Sequence, residues 1–256
     1  VCRNHSGCFS RVQEPWTFDR KTLDVTRHYI RMRYRLRPYL YQLFAAQEET
    51  GEAILRPLFY DFQDTRKLPL GKVDDQFLVG PSIMQAPFVD KDKKSRSVVL
   101  PGGTRWFDIS ANRWLAGGRK ITVKAALRDT PLYVRDPSIL PLARLAPADH
   151  AFDAARADFH VFLSGNGRAE TRYVFDDGNS LAYRKGKRSE VVVTAARKGA
   201  RIDIRVEALR SGFGAGDFTF TTEPSIREVR VNGVAAKKTR AQGVNLCARP
   251  LQTWSA

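Results

Sequence analysis

Cysteine is scarce in this chain, with three in 256 residues. Cys2, Cys8 and Cys247 are too few for a disulfide framework, and their odd number leaves at least one thiol free. No C-x-x-C pair or cysteine–histidine cluster has the spacing of zinc ligands. The sequence therefore predicts no metal site and no cofactor.

Long apolar runs are also lacking. No stretch approaches the roughly 18 consecutive apolar residues of a membrane-spanning helix, so no membrane span is predicted. Residues 1–5 lack the apolar core of a signal peptide, and the chain does not begin with Met. We therefore expect a piece of a longer protein, although a processed mature chain would look similar. Any targeting signal would lie upstream, and the compartment stays open.

Familiar catalytic signatures are missing. The sequence has no G-x-S-x-G elbow, P-loop, G-x-G-x-x-G before a helix, or H-E-x-x-H. Its adjacent acidic pairs, Asp74-Asp75 and Asp176-Asp177, do not suit a retaining glycosidase, which places two carboxylates about 5–5.5 Å apart across one bond. Neighbours on a strand point to opposite faces, and Asp-Asp-Gly is typical of a turn. Taken alone, the residues give only weak catalytic signals.

Basic residues are abundant, and the formal net charge is +16. Such a charge can steer a protein towards nucleic acid. The basic residues are scattered, however, and the densest run, residues 184–188, is typical of a turn and lacks interleaved aromatics that would stack on bases. With 43% hydrophobic residues the chain is expected to be globular. Nucleic acid is not a predicted partner.

Three regions differ in their periodicity. Residues 1–60 predict a loop followed by helix, with Asp19 near the N-cap, a break near Arg37 caused by Pro38, and a stop at Gly51. Residues 61–147 predict short strands separated by Gly, Pro and Asp. Residues 148–256 are again β-rich and include a hairpin turn at Asn232-Gly233. The fold class is therefore mainly β, and residues 143–158 are the best candidate for a linker.

The strand predictions are specific enough to be compared with a structure. They cover residues 76–79, 97–100, 106–108, 121–123, 131–134, 159–163, 171–175, 191–194, 201–207 and 229–231.

One histidine differs from the other three. His5 lies among polar residues in a loop that precedes the first predicted helix, whereas His28, His150 and His160 are expected to be structural or solvated. Loops that lead into helices are where barrel active sites collect polar side chains. His5 is therefore a candidate ligand contact.

Short motifs, taken in order, resemble glycoside hydrolase family 31, which includes α-glucosidases and α-xylosidases. Singly the motifs are weak, but their order matches that of the family from residue 3 to about 180. They are R-N-H-S at 3–6, E-P-W at 14–16, R-Y-R-L-R-P-Y-L-Y at 33–41, R-P-L-F at 56–59, D-Q-F-L-V-G at 75–80, A-P at 86–87, L-P at 100–101, W-F-D at 106–108, P-L-Y-V-R at 131–135 and D-D-G-N-S at 176–180.

The resemblance implies an architecture and a division of labour. Residues 1–60 would be the last βα loop and helices of a catalytic (β/α)8 barrel, residues 61–147 a proximal β domain, and residues 148–256 a distal β-sandwich. Enzymes of this family hydrolyse the glycosidic bond with retention of anomeric configuration and use two aspartates. Both aspartates would lie upstream of this chain. His5 matches the histidine that hydrogen-bonds the sugar at the cleavage subsite, and Arg3 matches a position close to that pocket.

The resemblance thus predicts the C-terminal part of an enzyme that removes terminal α-linked glucose or a related sugar from oligosaccharides. This chain alone would be inactive, and its partners would be the oligosaccharide and the missing barrel portion. The alternative is a non-catalytic carbohydrate-binding or scaffold module that uses exposed Trp106, Trp114 or Trp254.

Three departures from the family pattern bear on this expectation. Asp136-Pro137 replaces a small residue and Gly, so the local turn must differ, and Gln85 replaces an apolar residue in a strand. Loop 7–13 matches no known pattern, which leaves the sugar specificity open.

Overall fold

The computed structural model describes residues 7–63, 65–90, 92–124, 130–144, 153–239 and 251–255. Within these ranges the chain is mainly β, with a helical segment at the start, as predicted. None of the helices in these ranges is both long and apolar enough to cross a membrane.

Two consecutive helices form the first part of the fold. Helix α1 (Arg20–Arg35) begins at Asp19, whose carboxylate accepts a hydrogen bond from the Thr22 N–H at 2.6 Å. Helix α2 (Arg37–Thr50) has Pro38 in its first turn and ends at Gly51, whose φ is 75°. The predicted N-cap, break and stop are confirmed. A short helix α3 (Leu58–Asp61) follows.

Short antiparallel strands occupy the next region. They are β1 (Leu55–Pro57), β2 (Phe77–Val79), β3 (Ile83–Gln85), β4 (Ser95–Leu100), β5 (Arg105–Asp108), β6 (Arg113–Ala116), β7 (Arg119–Lys124) and β8 (Leu132–Arg135). In the described ranges, six of them form one sheet in the order β1-β2-β3-β8-β5-β6, and β4 pairs with β7. Leu78, Trp106 and Tyr133 are buried in the core beside this sheet.

Longer strands form two sheets that face each other. They are β9 (Ser138–Ala143), β10 (Arg156–Phe162), β11 (Gly167–Phe175), β12 (Ser189–Lys198), β13 (Arg201–Ser211), β14 (Asp217–Thr222), β15 (Glu228–Val231), β16 (Val234–Ala235), β17 (Lys237–Thr239) and β18 (Gln252–Ser255). Among the described residues, the orders are β17-β18-β14-β10-β9 and β11-β12-β13-β15-β16. Phe159, Tyr173 and Phe220 are buried in the core of this sandwich. Asn232 and Gly233 both have positive φ, as predicted for the hairpin.

The chain passes from the first sheet to the sandwich at Asp136-Pro137, where the peptide bond is cis. Strand β9 follows at once and pairs with β10. The predicted domain boundary at residue 147 therefore falls between two strands that are hydrogen-bonded to each other. The predicted linker falls partly on residues 145–152, which lie outside the described ranges. At its two ends the prediction is wrong, because Ala143 belongs to β9 and residues 156–158 belong to β10. The domain boundaries themselves stay predictions.

A third core joins the helices, the first sheet and the sandwich. Tyr39 and Leu43 of α2 pack with Val134 of β8, Leu140 of β9 and Phe162 of β10. Because these elements share buried side chains, the position of α1 and α2 is fixed relative to both β regions.

Candidate functional site

The two residues predicted to contact sugar, His5 and Arg3, lie outside the described residues. The structure describes the chain from Gly7 onward, where a tight turn joins Gly7 to Ser10 by a 3.1 Å backbone hydrogen bond. Phe9 in this turn is fully exposed. The loop then makes one 3-10 turn, Pro15–Thr17, before α1 begins.

Large apolar side chains are exposed along this loop, along the helices after it and at the start of β1. Isolated exposed apolar residues are normal, but a group of them on neighbouring elements marks a contact surface. We name this group the helical apolar face, and its members are Phe9, Val12, Trp16, Phe18, Ile30, Tyr34, Phe44, Leu55, Phe59 and Tyr60.

Polar contacts join other positions of the helices to the sandwich. The Tyr41 hydroxyl donates to Asp176 at 2.5 Å. Gln42 makes two hydrogen bonds to the backbone of Val174, one donated at 3.0 Å and one accepted at 3.2 Å. These bonds occupy the edge of β11 and fix α2 against it.

A buried ionic cluster lies where α1 meets the sandwich. Arg35 is 3.2 Å and His160 Nε2 is 2.8 Å from Oδ2 of Asp158, and all three side chains are almost fully buried. Thr221 donates to the same carboxylate at 3.0 Å. Burial lowers the pKa of His160, because the charged ring is disfavoured away from water. Burial opposes ionisation of Asp158 too, but the neighbouring His160, followed by the Arg35 guanidinium and the Thr221 hydrogen bond, holds its pKa below the ordinary value.

Three of the four carboxylates in the acidic pairs considered above make structural contacts. Asp75 pairs with Arg96 at 2.7 Å. Asp176 accepts from Gly178 N at 2.8 Å, and Asp177 accepts from Ser180 N at 2.9 Å, so the predicted turn is confirmed. Hydrogen bonds from Ser180 lower the pKa of Asp177. These carboxylates stabilise loops and do not face each other across a cleft.

Several motif residues also prove structural. Arg56 is buried and pairs with Glu52 and Asp61. Gln76 exchanges two hydrogen bonds with the backbone of Val99, at 2.9 and 2.8 Å. Gly80 has φ 59° and lies so close to Leu43 that a Cβ would be 2.4 Å from its Cδ2. The R-P-L-F and D-Q-F-L-V-G motifs therefore specify packing.

Two of the three tryptophans considered for sugar binding are core residues. Trp106 is 0% and Trp254 3% exposed. Trp114 is half-buried, and its indole N–H donates to Glu223. A module that binds sugar through these three rings is therefore disfavoured, because their faces are not free to stack.

The side chains that could bind a metal ion are not grouped in the described part of the chain. Within it, no group of three or more His, Cys, Asp or Glu side chains could hold a metal ion. Cys8 is an exposed free thiol.

Comparison with known proteins identifies the class. The Glycosyl hydrolases family 31 TIM-barrel domain matches residues 1–43, and the Glycosyl hydrolase family 31 C-terminal domain matches residues 51–140. Alpha-glucosidase 2 of Bacillus thermoamyloliquefaciens is 33% identical over 72% of this chain and 23% of its own length. An alpha-xylosidase of Saccharolobus solfataricus is 34% identical over 76% of this chain and 26% of its own.

A solved structure agrees with these matches. A dextranase of family 31 from Flavobacterium johnsoniae, complexed with isomaltotriose, superposes with a TM-score of 0.71 at 26% identity, over 84% of this chain and 27% of that one. The class is thus that of the glycoside hydrolases. The chain belongs to glycosyl hydrolase family 31, corresponds to the C-terminal portion of its members, and spans about a quarter of the length of these curated relatives.

Proposed function

We propose that this chain is the C-terminal part of a retaining glycoside hydrolase that removes terminal α-linked glucose, or a related sugar, from oligosaccharides. In this proposal His5 hydrogen-bonds the sugar and Arg3 supports the same pocket. The two catalytic aspartates belong to the barrel portion that is not in this chain, so the chain alone is inactive. The similarity to an α-glucosidase and an α-xylosidase over about three quarters of the chain carries the proposal.

The mechanism follows from the proposed place of His5. A retaining glycosidase passes through an oxocarbenium-like transition state, in which hydrogen bonds to ring hydroxyls become stronger. A donor held in place before the reaction stabilises this state more than it stabilises the bound substrate. The cap at Asp19 and the 3-10 turn before it would anchor the far end of the loop that carries His5.

The helical apolar face supports a barrel partner. Exposed side chains such as Trp16, Ile30 and Phe44 lie on the segment that matches the family's barrel model or directly after it. We propose that residues 1–60 complete a (β/α)8 barrel and that the rest of the barrel covers this face. Residues 61–147 and 148–256 would then be the proximal and distal β domains.

Hydrolysis of a chromogenic α-glucoside tests the proposal. The purified 256-residue chain is expected to show no turnover, and activity is expected when a separately produced barrel segment completes it. In that complex His5→Ala should lower kcat/KM by more than about tenfold, because a transition-state hydrogen bond is lost. Arg11→Ala, on the same loop, is the matched control and should retain activity.

Two results would contradict parts of the proposal. Clear turnover by the chain alone would mean that catalytic carboxylates lie within it. Equal activity of the His5→Ala and wild-type complexes would remove His5 from the sugar site. Comparing α-glucoside with α-xyloside in the active complex would define the sugar.

A further inference from the structure

A cavity of about 450 Å³ lies where α2, the β2–β3 turn, the β8–β9 connection and strand β11 meet. This volume is within the range of small-molecule sites, about 300–1,000 Å³. Tyr39, Leu43 and Ile139 give it apolar walls, and polar groups converge between them. It contains neither His5 nor Arg3.

Three arginines and two glutamates line the cavity, and both glutamates are paired, Glu52 with Arg56 and Glu170 with Arg168. Arg56 is paired with Glu52 and Asp61, and Arg172 is paired with Glu49 and Glu190. The third arginine, Arg135, is half-buried and lies 4.6 Å from the ring centroid of Phe62. It has no carboxylate partner in the part of the chain that the structure describes. A guanidinium held in this way is suited to bind a carboxylate or phosphate.

Three hydroxyl groups also line the cavity, those of Ser82, Ser138 and Thr171. The Ser82 hydroxyl hydrogen-bonds Tyr39. Those of Ser138 and Thr171 have no hydrogen-bond partner among the described residues, and Ser138 is only 5% exposed. Each hydroxyl can both donate and accept hydrogen bonds, so a cavity wall that carries several of them suits a ligand with hydroxyls of its own.

The edge of β11 adds backbone groups to the same wall. Gln42 satisfies the peptide group of Val174, which points away from β12. Because peptide groups in an antiparallel ladder alternate in direction, those of Arg172 and Glu170 face the same edge. Both residues line the cavity, so their N–H and C=O groups are available to a ligand.

From these groups we infer that the cavity binds a hydroxyl-rich anion of monosaccharide size, a sugar phosphate or a sugar acid. Arg135 binds the anionic group, and the three hydroxyls with the β11 edge bind the ring hydroxyls. This ligand site depends neither on His5 nor on hydrolysis, so it stands or falls separately from the proposed function.

Isothermal titration calorimetry of the 256-residue chain tests the inference. The probes are glucose 6-phosphate and glucuronate, with glucose and inorganic phosphate as partial ligands. At least one sugar anion should bind about tenfold more tightly than both partial ligands, because it alone uses the cation and the hydroxyls together. Equal affinity for glucose would overturn the anionic class, and equal affinity for inorganic phosphate would overturn the sugar.

Variants locate the binding. Arg135→Gln should weaken binding of the sugar anion by about tenfold or more. Arg119 is an exposed arginine outside the cavity, so Arg119→Gln should change the affinity less than twofold. If Arg135→Gln fails to fold, Ser138→Ala replaces it, because this hydroxyl has no described protein partner and its loss should leave the unfolding midpoint unchanged. Ser138→Ala should weaken binding about threefold or more. Wild-type affinity in folded Arg135→Gln, or in Ser138→Ala where Arg135→Gln does not fold, would overturn the site.

Discussion

Arg35, at the end of α1, and Asp158, on β10, form a buried ion pair across 123 residues of sequence, with 3.2 Å between Nη2 and Oδ2. The side chains are 1% and 6% exposed. Thr219 and Thr221 donate further hydrogen bonds to the carboxylate, at 3.2 and 3.0 Å. The pair therefore joins the helical segment to the sandwich at a point that water does not reach.

Removing the cation should be costly. We expect Arg35→Met to lower the free energy of unfolding by about 3–5 kcal/mol, because it leaves a buried carboxylate without its counter-charge. Arg33→Met on the same helix is the control, since Arg33 is exposed. It should change the free energy of unfolding by less than about 0.5 kcal/mol. Urea unfolding measures both. Equal losses in the two variants would show that the pair does not stabilise the fold.

Stability should also fall in acid. Burial lowers the pKa of His160 from its ordinary value of 6.5, so the unfolded chain binds a proton at a pH where the folded chain does not. This contribution is complete above pH 6.5 and decreases as the pH falls below it. The lowered pKa of Asp158 acts in the same direction at lower pH, below its ordinary value of 3.8.

The measurement is the thermal midpoint at pH 7.5, 6.0 and 5.0. His160→Leu should flatten the decline between pH 6.5 and 5, whatever its effect at pH 7.5, because the titrating ring is gone. His28→Gln, a half-buried histidine on α1, should keep the wild-type slope. A wild-type slope in His160→Leu would assign the acid sensitivity to other groups.

The features predicted correctly from sequence depend on short-range rules. Asp19 caps α1, Pro38 starts a new helix, and Asn232-Gly233 forms a two-residue turn, because each conformation is set by neighbours within a few positions. The ten predicted strands coincide with observed ones for the same reason, as alternation is local, whereas strands such as β6, β9 and β14 were not predicted. The family resemblance supplied the order of these elements.

The buried cluster of Arg35, Asp158 and His160 could not be predicted from sequence periodicity. Asp158 and His160 are two residues apart on one strand, so their common face could have been noticed. Their partner Arg35 is far away in sequence, in a helix rich in arginine, and nothing local singles it out. The cavity was not predicted for a similar reason, since α2, β3 and β11 are far apart in sequence and come together only in the folded chain. The roles of His5 and Arg3 stay predictions, because both lie outside the described residues.

A test of the D-Q-F-L-V-G motif follows from its last residue. Gly80→Ala should destabilise the protein by about 2–4 kcal/mol, because a left-handed φ and a Cβ 2.4 Å from Leu43 Cδ2 both oppose the side chain. Gly51→Ala separates the two causes, since Gly51 has φ 75° and nothing within 4 Å of its Cβ position. The free energy of unfolding of Gly51→Ala should fall by only about 1–2 kcal/mol. Guanidinium unfolding of both variants measures the difference. Equal losses of unfolding free energy would mean that Leu43 moves aside and that the added Cβ at Gly80 is not crowded.

The edge of β11 offers a residue-level measurement. Gln42→Met keeps the length of the side chain but removes both hydrogen bonds to Val174, so the unfolding free energy should fall by about 1–3 kcal/mol. Hydrogen exchange at the Val174 amide should become about tenfold faster or more, because this N–H donates to the Gln42 side-chain carbonyl, which methionine lacks. Gln47→Met, on the exposed side of α2, should leave that amide protected. If exchange at Val174 were unchanged in Gln42→Met, water or another group would have to protect the edge, and the side-chain amide would not be what holds α2 against the sandwich.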